Sequence, residues 1–288
     1  MSAHPRLSLN QATVKHASLL DALDASRAAG IGAVGLWREP VAEVGLEKAC
    51  ALVADSGLRV SSLCRGGFVT APPGQARTAA LAENRRAIEE TAALAAAGAP
   101  GSAPVLVLVA GGLPDGDRDL AGARERARDA IGDLVGDARA AGVVLAVEPM
   151  HPVFAADRGV VSTLAQALDV AEQFPADAVG VVVDTYHVWW DPDLPAQVAR
   201  AGRGGRIASY QLADWVTPLG PDVLVSRGLP GEGHADLAGI SALVEAAGYR
   251  GDVEVEVFAH ALWDADPAVV AVRTATAFAR ASGVSPRS

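Results

Sequence analysis

The sequence is poor in cysteine and lysine. Its 288 residues include two cysteines, Cys50 and Cys64, and two lysines, Lys15 and Lys48. Two cysteines offer neither a disulfide framework nor a zinc-binding spacing such as CxxC. We therefore expect both to be small buried side chains.

Positive charge and long apolar runs are also scarce. The chain has 24 Lys and Arg against 34 Asp and Glu, a net charge of −10, which is the wrong sign for a surface that follows nucleic-acid phosphates. No stretch approaches the roughly 18 apolar residues of a membrane span, and residues 1–11 lack the regions of a signal peptide. We expect a cytoplasmic protein that binds neither nucleic acid nor membrane.

Half of the residues are hydrophobic, which suffices for a large core, and they fall into two alternating patterns. Short apolar runs predict eight strands: Leu7–Asn10, Ala33–Trp37, Leu58–Cys64, Val105–Ala110, Val143–Glu148, Val179–Asp184, Arg206–Asp214 and Val253–Phe258. Ala-rich segments with helical spacing predict helices: His16–Ala29, Val41–Ser56, Gln75–Ala97, Asp119–Ala141, Thr163–Phe174, Pro195–Ala201, Asp236–Ala247 and Pro267–Ala281. Eight strand–helix pairs without a linker predict a single α/β domain over residues 1–288, a (β/α)8 TIM barrel.

Three long segments follow predicted strands: Gly66–Gly74, Ala110–Arg118 and Asp214–His234. Loops after the strands of a barrel stand at its C-terminal mouth, where active sites are built. We expect the functional site there.

Polar side chains end four of the apolar strands. Glu148 and Asp184 close the fifth and sixth runs, Gln211 lies in the seventh, and Glu256 lies in the eighth. A buried ionised carboxylate needs a partner, and oxygen ligands suit a hard divalent cation. Glu254 and Glu256 share one face of the eighth strand by the period of two. Because Glu256 is nearer the mouth, we predict that it is the ligand.

Five segments then resemble the signatures of a known group: VLAVEPMHP, VVVDTYHVWWDPDL, SYQLADW, RGLPGEGHADL and VEVEVF. The chain resembles the xylose isomerase-like TIM-barrel superfamily, the sugar phosphate isomerase/epimerase group. The resemblance covers most of residues 143–260 and implies one divalent metal ion, Mn²⁺ first, with Mg²⁺ or Co²⁺ as alternatives. The implied ligands are Glu148, Asp184, Gln211 and Glu256, with Gln211 where many members have histidine.

The resemblance also implies residues that contact substrate. His187 in DTYH is similar to the family's substrate-binding histidine, and His151 is a candidate base or hydrogen-bonding group in the same mouth. Arg227 precedes the PGEGH segment, which resembles a loop that closes over substrate. Trp189 and Trp215 are candidates for stacking on a sugar or cyclic polyol. Phe154 stands where ketohexose epimerases have a second glutamate, which disfavours that activity.

The leading hypothesis is a metal-dependent isomerase or epimerase of a sugar, polyol or related α-hydroxy ketone. Glu148 and Glu256 would transfer the proton of an enediolate mechanism. The alternative is a dehydratase acting on an inosose- or dehydroshikimate-type ring, or a lyase that cleaves carbon glycosides with a partner subunit. The sequence also leaves open that the chain is a non-catalytic sugar-binding subunit. It leaves open as well that the chain forms a homo-oligomer.

Overall fold

The computed structural model describes residues 3–286 and contains the predicted closed barrel of parallel strands. Its strands are β1 (Leu7–Asn10), β2 (Ala33–Trp37), β3 (Arg59–Gly67), β4 (Val105–Val109), β5 (Val144–Glu148), β6 (Val179–Asp184), β7 (Ile207–Leu212) and β8 (Val253–Val255). Each strand pairs with its neighbours in the chain, and β8 closes the ring by pairing in parallel with β1. This confirms the fold class predicted from the sequence.

Helices surround the barrel. They are α1 (Leu19–Ala28), α2 (Arg38–Val44), α3 (Leu46–Ser56), α4 (Gln75–Ala97), α5 (Leu120–Ala141), α6 (Leu164–Ala171), α7 (Thr185–Val188), α8 (Leu194–Arg203), α9 (Leu237–Ala246), α10 (His260–Trp263) and α11 (Pro267–Ala281). The bounds of α4 and α11 match the prediction. Within residues 3–286, no helix has both the length and the apolar character needed to cross a bilayer.

One predicted helix was wrong. The segment Val41–Ser56 forms two helices, α2 and α3, because Gly45 between them has φ of +82° and ψ of 147°. A left-handed φ at glycine costs little, and it redirects the chain. The apolar pattern continues through both helices, so it does not indicate where the first helix ends.

Two predicted strands were too long at their carboxyl ends by two or more residues. β8 ends at Val255, so Glu256 lies just beyond the sheet. β7 ends at Leu212, and Asp214–Trp215 instead pairs with Arg227–Gly228 as a short antiparallel ribbon. These extensions rise above the barrel mouth and carry functional side chains there.

Small residues let the helices lie close to the sheet. The inner face of α5 carries Ala123, Ala127 and Ala130, followed by Ile131 and Leu134, all buried. Each fully buried aliphatic side chain of the size of Leu134 contributes about 1.5–3 kcal/mol relative to its exposure. Burial on both sides of the parallel strands explains their continuous apolar sequences.

Candidate active site

A cavity of about 470 Å³ opens where the strands of the barrel end. Its wall includes Trp37, Val109 and Glu148, the last residues of β2, β4 and β5, together with Cys64 from β3 and Glu256 beyond β8. Both cysteines are free, and Cys64 is buried as predicted whereas Cys50 is only partly buried. The cavity therefore occupies the end of the barrel where the sequence predicted a site.

Acidic side chains meet beneath this cavity. Glu148, Asp184 and His187 each offer one ligand atom, and these atoms lie within 4.8 Å of one another. Asp184 ends β6 and its Oδ1 accepts the N–H of Tyr186, which caps α7. Its Oδ2 faces the other way, 3.7 Å from Nε2 of His187. The geometry thus brings together two of the predicted ligands and the predicted substrate-binding histidine.

Gln211 lies beside Asp184 in the register of β6 and β7 and is buried. Its Nε2 donates to Oε2 of Glu254 at 3.3 Å. Its buried Oε1 has no hydrogen-bond partner among the described residues. A buried acceptor without a donor is destabilising by about 1–3 kcal/mol, and a hard cation is a partner that an amide oxygen can take. The donor set therefore fits a divalent cation.

The charges of the site lead to the same conclusion. Burial and repulsion from Glu256 and Asp184 raise the pKa of Glu148 well above its usual value. Burial raises the pKa of Glu256 to about 8 although Arg227 opposes the shift, and burial also raises the pKa of Asp184. The raised pKa values reflect carboxylates that the single Arg227 guanidinium does not compensate, and a divalent cation held by their oxygens would lower these pKa values and keep the carboxylates ionised.

Glu254 and Glu256 have different surroundings. Glu254 accepts hydrogen bonds from Asn10 at 2.7 Å, Ser62 at 2.6 Å and Gln211 at 3.3 Å, and it does not line the cavity. Glu256 lines the cavity and accepts a hydrogen bond from Arg227. The placement of Glu256 nearer the mouth agrees with the sequence argument, and its ligand role stays a prediction.

His187 is held in one tautomer by the main chain. The backbone N–H of His151 donates to its Nδ1 at 3.1 Å, so Nδ1 carries no proton. Burial and the neighbouring Arg227 lower the pKa of His187 well below its usual value, so the ring is neutral and its proton resides on Nε2. A metal ligand must present a bare nitrogen, whereas His187 presents an N–H. This argues against His187 as a ligand despite its proximity.

Arg227 is buried between two aromatic rings, with its guanidinium carbon 4.6 Å from the centre of Tyr186 and 4.5 Å from that of Phe258. Its Nη1 donates to Oε2 of Glu256 at 2.9 Å, and its Nη2 lies 3.3 Å from Nε2 of His187. Because Nδ1 of His187 accepts from His151, Nε2 of His187 and Nη2 of Arg227 are both donors, and their contact is satisfied only when an oxygen accepts from them. A substrate oxygen can accept from both.

Asp214 positions the segment that carries Arg227, a function that the sequence analysis did not identify. Its two carboxylate oxygens accept the backbone N–H groups of Gly231, Gly233, Ala235 and Trp215 at 2.9–3.0 Å. An aspartate two residues after a strand, ahead of a Gly-rich loop, is the signal that could have indicated this clasp.

Three predicted substrate contacts lie outside the lining of the cavity. His151 stacks on Trp215 with ring centres 4.8 Å apart, and Trp189 packs 5.7 Å from Trp215. These aromatic side chains pack near Tyr186, whose ring centre is 4.9 Å from that of Trp215. His151 contributes to the site through its backbone N–H, and Trp37 is the tryptophan that lines the cavity.

Comparison with known proteins identifies the family. The model of the family described as xylose isomerase-like TIM barrel matches residues 23–281. The chain therefore belongs to this family.

Two solved structures illustrate the similarity. Protein SMc04130 from Sinorhizobium meliloti 1021 has 43% sequence identity and a TM-score of 0.90, with 96% of this chain and 98% of that chain covered. The IOLI protein, whose crystal structure has a bound zinc atom, has 20% identity and a TM-score of 0.78, with 94% and 96% covered. At this identity the second comparison shows the fold alone.

Among curated proteins, 3-dehydroshikimate dehydratase of Pseudomonas putida is 34% identical over 102 residues. The corresponding protein of Pseudomonas aeruginosa is 36% identical over 102 residues. The matched stretch makes up 34% of this chain and 16% of each of those proteins. The chain thus matches only a minor part of these relatives.

Proposed function

We propose that the protein is a divalent-metal-dependent isomerase or epimerase acting on a sugar, polyol or related α-hydroxy ketone. The observation that carries the proposal is the unpartnered buried Oε1 of Gln211 beside three buried carboxylates. In this proposal Glu148, Asp184, Gln211 and Glu256 hold one ion, Mn²⁺ being the first candidate for an oxygen-only set. The zinc of the IOLI structure shows that a related barrel binds a divalent ion.

When bound, the cation supplies Lewis acidity that acidifies the C–H next to the substrate carbonyl. Glu148 takes this proton at a carboxylate oxygen, and Glu256, after taking up a proton from water, gives it to the adjacent carbon. The hydroxyl proton of the substrate passes to the former carbonyl oxygen, and Glu148 releases its proton to water. The two side chains follow β5 and β8, with β6 and β7 between them in the ring, so they approach a bound substrate from different directions. In an epimerisation the same pair acts on the two faces of one carbon.

His187 and Arg227 orient the substrate in this mechanism. Nε2–H of His187 and Nη2–H of Arg227 donate to the oxygen on which negative charge develops. A neutral imidazole suits this role because it donates a hydrogen bond without surrendering its proton. The buried position of both groups strengthens these hydrogen bonds by excluding water.

The test is proton NMR in D₂O of the manganese-loaded protein with a panel of ketoses, inosose and 3-dehydroshikimate. We expect solvent deuterium at the carbon next to the carbonyl of a ketose or of inosose, without loss of water. Glu148→Gln should abolish the exchange. Absence of exchange from every compound with metal bound would refute the proposal.

A second candidate, a dehydratase, is favoured by the local identity with 3-dehydroshikimate dehydratase. Its first step is the same proton abstraction, and the electron pair then expels the hydroxyl of the next carbon, which leaves as water with the proton that Glu148 took. Nε2–H of His187 would hydrogen-bond the departing oxygen. In the NMR experiment this activity appears as stoichiometric loss of water from the ring substrate. A non-catalytic sugar-binding subunit would bind the compounds and exchange no proton.

A further inference from the structure

The opening of the active-site cavity has basic side chains that the proposed reaction does not use. Arg65, Arg158 and Lys15 line this cavity. The side chains of Arg65 and Arg158 are 33% and 40% exposed, whereas Glu148 and Glu256 are buried at the bottom. The cavity is therefore acidic at its floor and has basic groups at its opening.

Arg65 is fixed at this opening by aromatic contacts. Its guanidinium carbon lies 4.6 Å from the ring centre of Phe68 and 6.0 Å from that of Trp37. Phe68 has φ of +56°, in the left-handed region that an aromatic residue seldom adopts. Its backbone N–H donates to the carbonyl oxygen of Val109 at 2.8 Å. Residues held in such strained conformations cluster at functional sites.

The donors of Arg65 are available to a ligand. Among the described residues its guanidinium makes no hydrogen bond, and the one carboxylate within 4 Å belongs to the exposed Glu39, at 3.8 Å. Arg158 is likewise 3.6 Å from Asp157. Exposed pairs at such distances contribute little. Arg59, by contrast, makes two charged hydrogen bonds of 2.7 and 2.9 Å to Asp252 at the opposite end of β3.

We infer that the substrate carries an anionic group, a carboxylate or a phosphate, which Arg65 binds together with Arg158 at the cavity opening. The inference rests on the proposed function, because it requires the reacting carbonyl to face the proposed metal ligands. The floor carboxylates repel the anion and Arg65 offers it a planar pair of donors, so the substrate enters in one orientation. Glu39 and Glu43 also line the cavity and Asp157 lies beside Arg158, so the attraction of an anion comes from the free donors of Arg65 and not from an excess of positive charge.

The test compares each anionic ligand with a neutral relative that lacks the anionic group. Isothermal titration calorimetry of the manganese-loaded protein with shikimate and with its neutral methyl ester measures the carboxylate contribution. Glycerol 3-phosphate against glycerol measures the phosphate contribution. We expect one anion to bind at least about tenfold more tightly than its neutral partner, the scale of a charge-assisted hydrogen bond.

Variants assign the effect to Arg65. Arg65→Gln should remove most of the preference for the anion, and Arg65→Lys should keep part of it because the charge remains without the bidentate geometry. Arg85→Gln is the matched control, since Arg85 is 45% exposed and pairs with Asp137 on the outer helices. Equal affinity for both members of both ligand pairs, or an unchanged preference in a folded Arg65→Gln protein, would overturn the inference.

Binding is measured without turnover, so the two proposals fail separately. A protein that prefers the anion and exchanges no substrate proton contradicts the proposed function and supports the anion site. A protein that isomerises neutral ketoses, and has no preference for either anion, contradicts the anion site alone.

Discussion

The backbone N–H of His151 donates to Nδ1 of His187 at 3.1 Å, which places the proton of the neutral ring on Nε2 and makes its 3.3 Å contact with Nη2 of Arg227 a contact between two donors. The ring then presents a donor toward Asp184 and Glu148, 3.7 and 3.9 Å away. Distance alone would make His187 a metal ligand, whereas the direction of the hydrogen bond supports its proposed role in binding substrate.

Substitution of His187 separates these roles. His187→Ala should keep the bound metal and lose 10²- to 10⁴-fold in kcat/KM, roughly the scale of one catalytic hydrogen-bonding or acid–base group. Metal content, melting temperature and kcat/KM are measured on the same protein. Loss of the metal from a folded variant would show that His187 is a ligand. Normal turnover would remove it from the site.

The two glutamates of the last strand offer a matched pair of variants. Glu256→Gln should lose most of the metal, because it removes a charged ligand from the cavity wall. Glu254→Gln should retain the metal but unfold more easily, since a carboxylate that accepts from Asn10, Ser62 and Gln211 is replaced by an amide with one accepting oxygen, which costs roughly 1–3 kcal/mol. Elemental analysis measures the metal content of each variant, and urea unfolding measures its stability. Metal retained by Glu256→Gln and lost from Glu254→Gln would contradict the assignment.

Gln211 can be tested through its unpartnered oxygen. Gln211→Leu should weaken metal binding, and it should change the stability of the metal-free protein little because removal of the unsatisfied acceptor offsets loss of the 3.3 Å hydrogen bond to Glu254. Titration with Mn²⁺ followed by electron paramagnetic resonance gives the affinity. Unchanged affinity would exclude Gln211 from the ligand set.

Acid sensitivity of folding should involve Glu245, at the opposite end of the molecule from the cavity. Burial opposes ionisation, but hydrogen bonds from Ser285 and Arg6 outweigh it and lower the pKa of Glu245 from 4.5. The stabilisation that Glu245 provides is therefore complete above the pKa that Glu245 has in the unfolded chain. It is lost as the pH falls through the lower pKa that Glu245 has in the folded protein. Melting temperatures between about pH 6 and 3 should fall less steeply for Glu245→Gln than for the unchanged protein. Glu47→Gln, an exposed change on α3, is the control, and parallel curves for all three proteins would contradict the prediction.

The sequence predicted the barrel because strands buried on both faces read as apolar runs, as in Val105–Val109. It also predicted that Glu148 and Asp184 lie together at converging strand ends, whereas Glu256 is connected to Asp184 through Nη1 of Arg227. It could not predict that His151 and Trp215 pack together, because their contact depends on how two loops fold over each other. The sequence did not indicate Arg65 as a site residue because it precedes a glycine pair within β3. The left-handed φ of Phe68 could not be predicted either, because no sequence pattern marks it.

The last prediction concerns the clasp that Asp214 forms with the segment carrying Arg227. Asp214→Ala leaves the N–H groups of Gly231, Gly233 and Ala235 without their acceptor, so this segment should loosen and Arg227 should lose its position over Glu256. Because the predicted ligands stay in place, the variant should bind metal normally while kcat/KM falls by roughly 10²-fold or more, as expected when a positioning contact fails. Asp222→Ala is the matched control, because Asp222 lies in the same loop, is exposed and accepts a single N–H, from Leu224. Metal content and kcat/KM of both variants provide the comparison. An Asp214→Ala protein as active as the Asp222→Ala protein would show that Arg227 reaches its position without the clasp.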